Sequence, residues 1–507
     1  MTKEMGSPLE RMKKGTRSSG LKGLVDHRAL RAAVLLAVLL LAAYTAFFGL
    51  GLEDWHTDEP AYRIAGLKFI QDGNPGLTQR AAEHPFLAKY ILGVTQVVLG
   101  SSEAEVVRIP AATATLLTGL ILFVFARRVA GYWSGVLALA LWTISPLTLA
   151  FGRVATLDVF LIFFSTLALY LGWRWAEGGS WWFAGFCGVA VGLATASKVV
   201  GILFLPAILL VGVLKIDLSR RLIFQGLLVS LAVAATALAT YAPLGSEAPS
   251  AIQRMLEIQN QHNAKGHRVE INSVFYRFPP WWTHLWWQWE FYGTLASLSL
   301  GVAIVVAFLQ RRAFELYLLA AALIPFLFLS FYVQVRLSHY FGAWQPPLIL
   351  LLAIVSGKLA RQGSTRGQKI IGGVLAVLLL APFFYLGVQT LQTVSQIRPG
   401  PSSVIAEHLE DTGHDRGSVL VQSRMIKEYL PEARVFDNPE DAQGEEIEAV
   451  VVDNNSYRSR NEKATTNYLA TNKDKFELSY TASKNRGRFS LDLSEGDVEV
   501  YIRKSDG

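Results

Sequence analysis

Eleven stretches of this chain are apolar over lengths close to those that cross a bilayer. A spanning helix needs about 20 mostly apolar residues, within a range of roughly 17–25. Such runs lie at about 29–52, 105–126, 132–150, 154–173, 181–196, 199–214, 222–243, 290–309, 313–333, 340–357 and 369–392. This pattern leaves few folds open. Backbone polar groups in hydrocarbon must be satisfied within their own segment, so runs like these become helices. The expected fold class is a polytopic α-helical membrane protein of about 11 transmembrane helices. Its weakest boundary is Ser197-Lys198, which interrupts one long run; merging the two halves would flip everything downstream.

The basic residues test this count. Arg127-Arg128, Lys215 with Arg220 and Arg221, Arg311-Arg312, and Lys358 with Arg361, Arg366 and Lys369 all sit in short loops between apolar runs. With 11 spans and a cytoplasmic N-terminus, all of them fall inside, as the positive-inside rule requires. The formal charge of +7 is explained this way, so no nucleic-acid partner is expected. Residues 1–28 form a polar, basic cytoplasmic tail, and the first apolar run is long enough to stay as an anchor, so no cleaved signal peptide is expected. Cys187, the one cysteine, lies in an apolar run and excludes an intrachain disulfide. The expected localisation is an integral plasma membrane protein.

Under this topology a second set of ionisable residues gathers on the outer face: Asp58, Glu83, Arg153, Asp158, Lys198, the 245–289 loop and the tail after 397. Ionisable residues where a membrane protein meets water point to function. The first outer loop, 53–104, opens with Asp58-Glu59 at the start of an expected helix over 60–72, where the helix dipole favours anions. Gly73-Asn74-Pro75-Gly76 ends that helix, and the short apolar run 85–100 is expected to lie in the interface. Glu83-His84-Pro85 and Lys89 form a second polar cluster. Two carboxylates and a cation in one loop can supply a base and a phosphate ligand. The second outer loop holds His262, His267 and a tryptophan cluster from Trp281 to Trp289, which reads as an interfacial belt. Residues 397–507 read as a small extracytoplasmic α/β domain, with strands near 418–422, 448–452, 476–482 and 498–503 and helices near 402–411 and 463–472.

The residues of the first outer loop run His56-Thr57-Asp58-Glu59-Pro60-Ala61-Tyr62, then Glu83-His84-Pro85-Phe86-Leu87-Ala88-Lys89. Further on come Arg153-Val154-Ala155-Thr156-Leu157-Asp158, Ser197-Lys198, and Leu337-Ser338-His339-Tyr340 with Pro346-Pro347. In this order and spacing they resemble the GT-C glycosyltransferases of the protein O-mannosyltransferase and aminoarabinose transferase group. One departure is Phe86, where the family carries a second proline. The resemblance covers roughly residues 30–360 of a 29–396 transmembrane domain and none of the C-terminal domain.

The resemblance implies a membrane glycosyltransferase, mannosyltransferase-like. It would move a sugar from a polyprenyl-phosphate donor to a hydroxyl on a protein, glycolipid or glycan acceptor at the outer face, with inversion. Such transfer needs a base for the acceptor hydroxyl and cations for the departing phosphate. Asp58 is the expected base. Glu59 either orients the acceptor or caps its helix. Lys89, Arg153 and Lys198 are the candidate phosphate ligands, with Asp158 expected to pair with Arg153. Glu83, His84, His339 and Tyr340 are supporting residues. A divalent metal on Glu83 with His262 or His267 is the one cofactor to consider. Two other classes stay open. A lipid-linked-sugar flippase or other transporter is expected to hold its charges near the bilayer midplane, whereas these cluster at span ends. A non-catalytic envelope-assembly protein has no need of Asp58.

Overall fold

The computed structural model describes residues 27–56, 58–73, 82–272, 274–361, 364–422, 424–442, 444–453, 462–482 and 497–504. The basic tail and the Asn74–Gly76 turn lie outside the described residues. Every apolar run named above is helical. In chain order the membrane region comprises α1 (His27–Phe47), α4 (Ala104–Ala130), α5 (Tyr132–Thr143), α6 (Pro146–Gly152), α7 (Leu157–Gly178), α8 (Trp181–Ser197), α9 (Leu205–Lys215) and α10 (Arg220–Ala239). It continues with α12 (Thr283–Gln310), α13 (Ala313–Leu327), α14 (Gln345–Leu359) and α15 (Arg366–Ser395). The loops 53–104 and 245–289 carry α2 (Glu59–Asp72), α3 (Leu87–Leu99) and α11 (Ala248–Lys265).

The count of 11 crossings is not met by length and composition: among the described residues 7 helices qualify, or 8 when the bent pair α5–α6 counts as one. The reason is geometric. At about 1.5 Å per residue, α8 and α14 rise only ~25 Å and ~22 Å, against a hydrocarbon core of about 30 Å. The break at Ser197-Lys198 is a true one, since α8 ends there and a 3-10 turn, Val199–Phe204, leads into α9.

The helix ends sort into two groups. At one, Arg128 meets Glu177 at 2.5 Å, Arg221 donates to the Gly179 carbonyl at 2.7 Å, and Lys358 pairs with Glu315. At the other lie the acidic loop of Asp58, the start of α7 and the end of α8. The large apolar core runs between them, and α1, α10, α12 and α15 leave exposed rows of Leu, Val and Phe suited to lipid.

Two features of the helices set up the site. First, α2 and α3 cross backbone to backbone, because Gly66 and Gly93 face each other. A Cβ on Gly93 would lie 2.2 Å from the Gly66 carbonyl oxygen, and one on Gly66 would lie 2.1 Å from that of Lys89. Second, the α5–α6 pair bends by 58° at Ile144-Ser145. A break inside the bilayer frees backbone groups that need new partners. Here the Ile144 carbonyl accepts from Thr390 Oγ1 at 3.1 Å, while Ser145, Tyr292 and Gln345 form a buried polar knot. Tyr292 precedes Gly293, whose φ of +70° kinks α12.

The 245–289 loop carries a short antiparallel hairpin of β1 (Val269–Ile271) and β2 (Val274–Tyr276), and the C-terminal domain is a five-stranded mixed sheet of order β4-β3-β5-β7-β6. Its strands are β3 (Ser418–Val421), β4 (Arg434–Phe436), β5 (Ala449–Asp453), β6 (Phe476–Ala482) and β7 (Val498–Arg503). β4, β3 and β5 are parallel, and β7 runs antiparallel to β5 and β6. Helices α16 (Pro401–Asp411) and α17 (Glu462–Thr471) accompany it, and separate apolar clusters cover its two faces.

Candidate active site

The turn from α1 to α2 carries four carboxylates within seven residues: Glu53, Asp54, Asp58 and Glu59. Three are committed to structure. Glu53 pairs with Arg153 at 3.5 Å, and Asp54 accepts from the Ser402 N–H at 3.0 Å. Glu59 is fully buried and receives the Arg108 guanidinium bidentately, at 2.9 and 2.7 Å. It also accepts from the backbone N–H groups of His56 and Ala155, both at 2.7 Å. Burial pushes the Glu59 pKa up, but Arg108 and these donors more than offset it and hold it below the ordinary carboxylate value. Arg108 spends its remaining donors on the carbonyls of Leu50, Glu53 and Asp54.

Asp58 differs from these three. It is the N-cap of α2 but makes no capping bond, and among the described residues its carboxylate has no hydrogen bond or ion pair. Its charge bears on Tyr62, Tyr340 and His339, together with those of Glu83 and Asp158 on the two tyrosines and that of Asp158 on the histidine. Residues from four separate stretches of sequence therefore converge on one place.

The Glu83 stretch joins from α3. Lys89 is fully buried, donates to the His84 carbonyl at 2.7 Å, and lies 5.0 Å above the Phe86 ring. Burial lowers its pKa to about 7, with Glu83 pulling the other way. His84 is pushed well below the usual histidine range by burial and by the charges of Lys198 and Lys89, so its ring is neutral at neutral pH. From the 245–289 loop, α11 clasps this stretch. Gln259 donates to the Glu83 carbonyl at 2.6 Å and lies 3.1 Å from His84 Nδ1, and His262 meets the Glu83 carboxylate at 2.7 Å. Glu83 and His262 are two possible metal ligands, and no group of three or more His, Cys, Asp or Glu suited to an ion occurs among the described residues.

The third part is built where α8 breaks. Lys198, freed from helical geometry at the end of α8, reaches both oxygens of Asp158 in the first turn of α7. Its ammonium lies 4.2 Å above the Tyr340 ring, and His339 Nε2 is 3.9 Å from the same carboxylate. Burial lowers the His339 pKa to about 4, with Asp158 opposing and Lys198 assisting. A narrow recess opens here, lined by Asp158, His339, Phe151, Thr148 and Gln345.

Three expectations are corrected. Asp158 pairs with Lys198, not with Arg153. The non-helical residues Arg153 to Thr156 separate α6 from α7, so the two side chains do not share a helix face. Arg153 turns back toward α1, where it donates to the Phe48 carbonyl and meets Glu53, and so it does not join the cluster. Glu59, adjacent to Asp58 in sequence, is walled in by Arg108. The residue that reading the sequence missed is Arg108 itself. Its signal was present, as a charge within the apolar run 105–126, one turn in from Glu105 at the run's edge. Gln259 and Tyr429, whose hydroxyl accepts from the Trp55 N–H at 3.2 Å, carried no such signal.

Residues 83–246 match the family described as dolichyl-phosphate-mannose-protein mannosyltransferase. That stretch takes in Lys89, Arg153, Asp158 and Lys198. No curated protein matches the sequence significantly. Among solved structures, ArnT from Cupriavidus metallidurans superposes with a TM-score of 0.62 at 15% identity, covering 93% of this chain and 97% of its own. The same enzyme bound to undecaprenyl phosphate gives 0.61 at 14%, covering 94% and 98%. The Archaeoglobus fulgidus oligosaccharyltransferase tethered to an acceptor peptide gives 0.56 at 13%, covering 84% and 69%. At these identities the likeness is one of fold. It spans both the helical bundle and the C-terminal domain in the ArnT comparison.

Proposed function

We propose that this chain is a membrane glycosyltransferase that moves a sugar from a polyprenyl-phosphate donor to a hydroxyl acceptor, with Asp58 as the base. One observation carries the reading: of four carboxylates in the α1–α2 turn, only Asp58 lacks a partner among the described residues, and it faces the Lys198–Asp158–His339–Tyr340 cluster. A base must have a free carboxylate within reach of the proton it takes. Support also comes from the match over 83–246 and from a fold shared with an enzyme bound to undecaprenyl phosphate.

The donor's lipid tail lies in the bilayer and its phosphate near Lys198 and Lys89. Asp58 takes the acceptor proton as the oxygen attacks the anomeric carbon from the face opposite the phosphate. The C–O bond to phosphate breaks, configuration inverts, and no covalent intermediate is needed. Lys198 offsets the charge developing on the leaving phosphate. His84 and His339, both neutral at neutral pH, donate or accept hydrogen bonds without adding charge. We place the basic loop ends in the cytoplasm, which puts the site and the C-terminal domain outside.

The test is transfer from a polyprenyl-phosphate sugar by membranes holding the wild type or Asp58→Asn. The amide keeps the shape but takes no proton, so turnover should fall by about two to four orders of magnitude. Binding of polyprenyl phosphate should change little. If Asp58→Asn retains wild-type turnover, the base lies elsewhere.

A further inference from the structure

The C-terminal domain does not stand apart from the site. It grips the turn that carries Asp58. The Gly400 N–H donates to the Leu52 carbonyl at 2.8 Å, and the Ser402 N–H, in the first turn of α16, donates to the Asp54 carboxylate. The fit there is tight: a Cβ on Gly400 would lie 2.1 Å from Asp54 Oδ1. The Tyr429 hydroxyl accepts from the Trp55 N–H, and its ring packs against the cluster that holds Trp55, Tyr62 and Phe160. Glu428 pairs with Arg63 at 2.7 Å, and Arg63 lies over the Trp55 ring. These four anchors fall at residues 52, 54, 55 and 63. From below, the bundle holds the same turn through Glu59 and Arg108. Asp58 sits between the two sets, and among the described residues its side chain has no tie of its own.

We propose that Tyr429 and Glu428 are positioning residues for Asp58, so that the C-terminal domain sets the place of the base. The inference rests on the reading of Asp58 above. Its physical ground is strict geometry: proton transfer needs heavy atoms within about 2.6–3.2 Å, and a displacement near 1 Å can cost about a hundredfold in rate. With Tyr429 and Glu428 released, the turn keeps its ties at residues 52 and 54 and the Glu59–Arg108 pair but loses those at 55 and 63 on either side of Asp58, so the carboxylate samples a wider arc.

The experiment uses the full-length protein and three changes: Tyr429→Phe, Glu428→Gln, and the exchange Arg63→Glu with Glu428→Arg. Turnover is measured at saturating donor and acceptor, beside the affinity for polyprenyl phosphate and the KM for acceptor. Tyr429→Phe and Glu428→Gln should each lower kcat by about tenfold, within the range a lost hydrogen bond allows, with donor affinity unchanged. The charge exchange should recover most of the loss of Glu428→Gln. A raised acceptor KM at unchanged kcat would overturn the proposal and make the domain an acceptor dock. Failure of the exchange to recover activity would count against it equally. A readout independent of turnover is a spin label at Asp58→Cys. It should be immobilised in the parent and mobile when Tyr429→Phe and Glu428→Gln are added; equal mobility in both sinks the idea. Should Tyr429→Phe fail to fold, the half-buried Arg63–Glu428 pair and the label still decide. If Asp58→Asn is as active as wild type, the reading of Asp58 fails first, which separates the two failures.

Discussion

Lys198 Nζ lies 2.8 and 2.9 Å from the two oxygens of Asp158, across the break that ends α8. The two members of this pair should respond in different ways to substitution. With Lys198 as the proposed phosphate ligand, Lys198→Ala removes a charge that would meet the donor phosphate in ground and transition states alike. A charge-assisted contact is worth roughly 1.5–3 kcal/mol, so donor affinity should weaken about ten- to a hundredfold along with the rate. Asp158→Asn leaves the ammonium in place, so donor affinity should hold while turnover falls. Equal loss of affinity in both variants, measured by titration with polyprenyl phosphate, would make the pair a structural brace.

Glu59→Gln should damage the fold more than the chemistry. Removing one partner of a buried ion pair costs about 3–5 kcal/mol, because the other charge stays behind without compensation. The melting temperature in detergent should drop, and Arg108→Ala should drop it similarly. A Glu59→Gln protein that melts like wild type but is inactive would return Glu59 to the list of catalytic candidates.

Acid should act through the same carboxyl. The Glu59 pKa is held below its ordinary value of 4.5, so the folded state binds this proton more weakly than the unfolded chain does. Its stabilisation is therefore complete above that value and is lost as pH falls through the folded-state pKa. In Glu59→Gln this share of the acid loss should vanish. A wild type and a variant with parallel melting curves as pH falls from about 6 to about 3, through the ordinary value of 4.5, would contradict the assignment.

Lys89 titrates in a more accessible range. With its pKa lowered to about 7, it is half charged at neutral pH. Donor affinity should fall as pH rises through about 7, and Lys89→Met should flatten that dependence. Stability follows the opposite sign: between about 7 and 10.5 the unfolded chain binds the extra proton, so the folded state gains with rising pH. A wild-type donor affinity that is level from pH 6 to pH 8, roughly one unit either side of the shifted value, would remove Lys89 from the phosphate site.

The orientation is tested at the last residue. A reporter fluorescent only in the cytoplasm, fused after Gly507, should be dark. A bright signal would place the C-terminal domain inside and separate the site from an outer-face donor.

Much of the architecture was readable because membrane helices and short strands announce themselves by period and length. The helix after Pro60, the break at Lys198 and four of the five strands of the C-terminal sheet lie where the residues place them. Strand β4 escaped because it is an edge strand of three residues, Arg434–Phe436, too short for any period. The site was legible in part, and the failures have a common physical source. Consecutive residues at a helix start point about 100° apart. Asp58 and Glu59 are alike in sequence, yet one faces the cluster and the other faces Arg108. Arg153 and Asp158 are five apart, a spacing that suggests a pair only if one helix runs through both. Which neighbour a charge meets depends on other helices, and that information is spread over the whole chain.

The polar knot at the bent span has a consequence for how the protein is made. Ser145 must wait for Tyr292, 147 residues later, and for Gln345, 200 residues later. At roughly 5–20 residues per second, the wait for Gln345 lasts about 10–40 s of synthesis. During that time the bent span has left the ribosome without the partners that fill its break. The insertion machinery, or an early-arriving neighbour, has to shelter Ser145 until α14 is delivered, and the Ile144 carbonyl until α15 brings Thr390. Final assembly of the bundle is thus tied to a late event in translation, well after most of the first half of the chain has been threaded into the membrane.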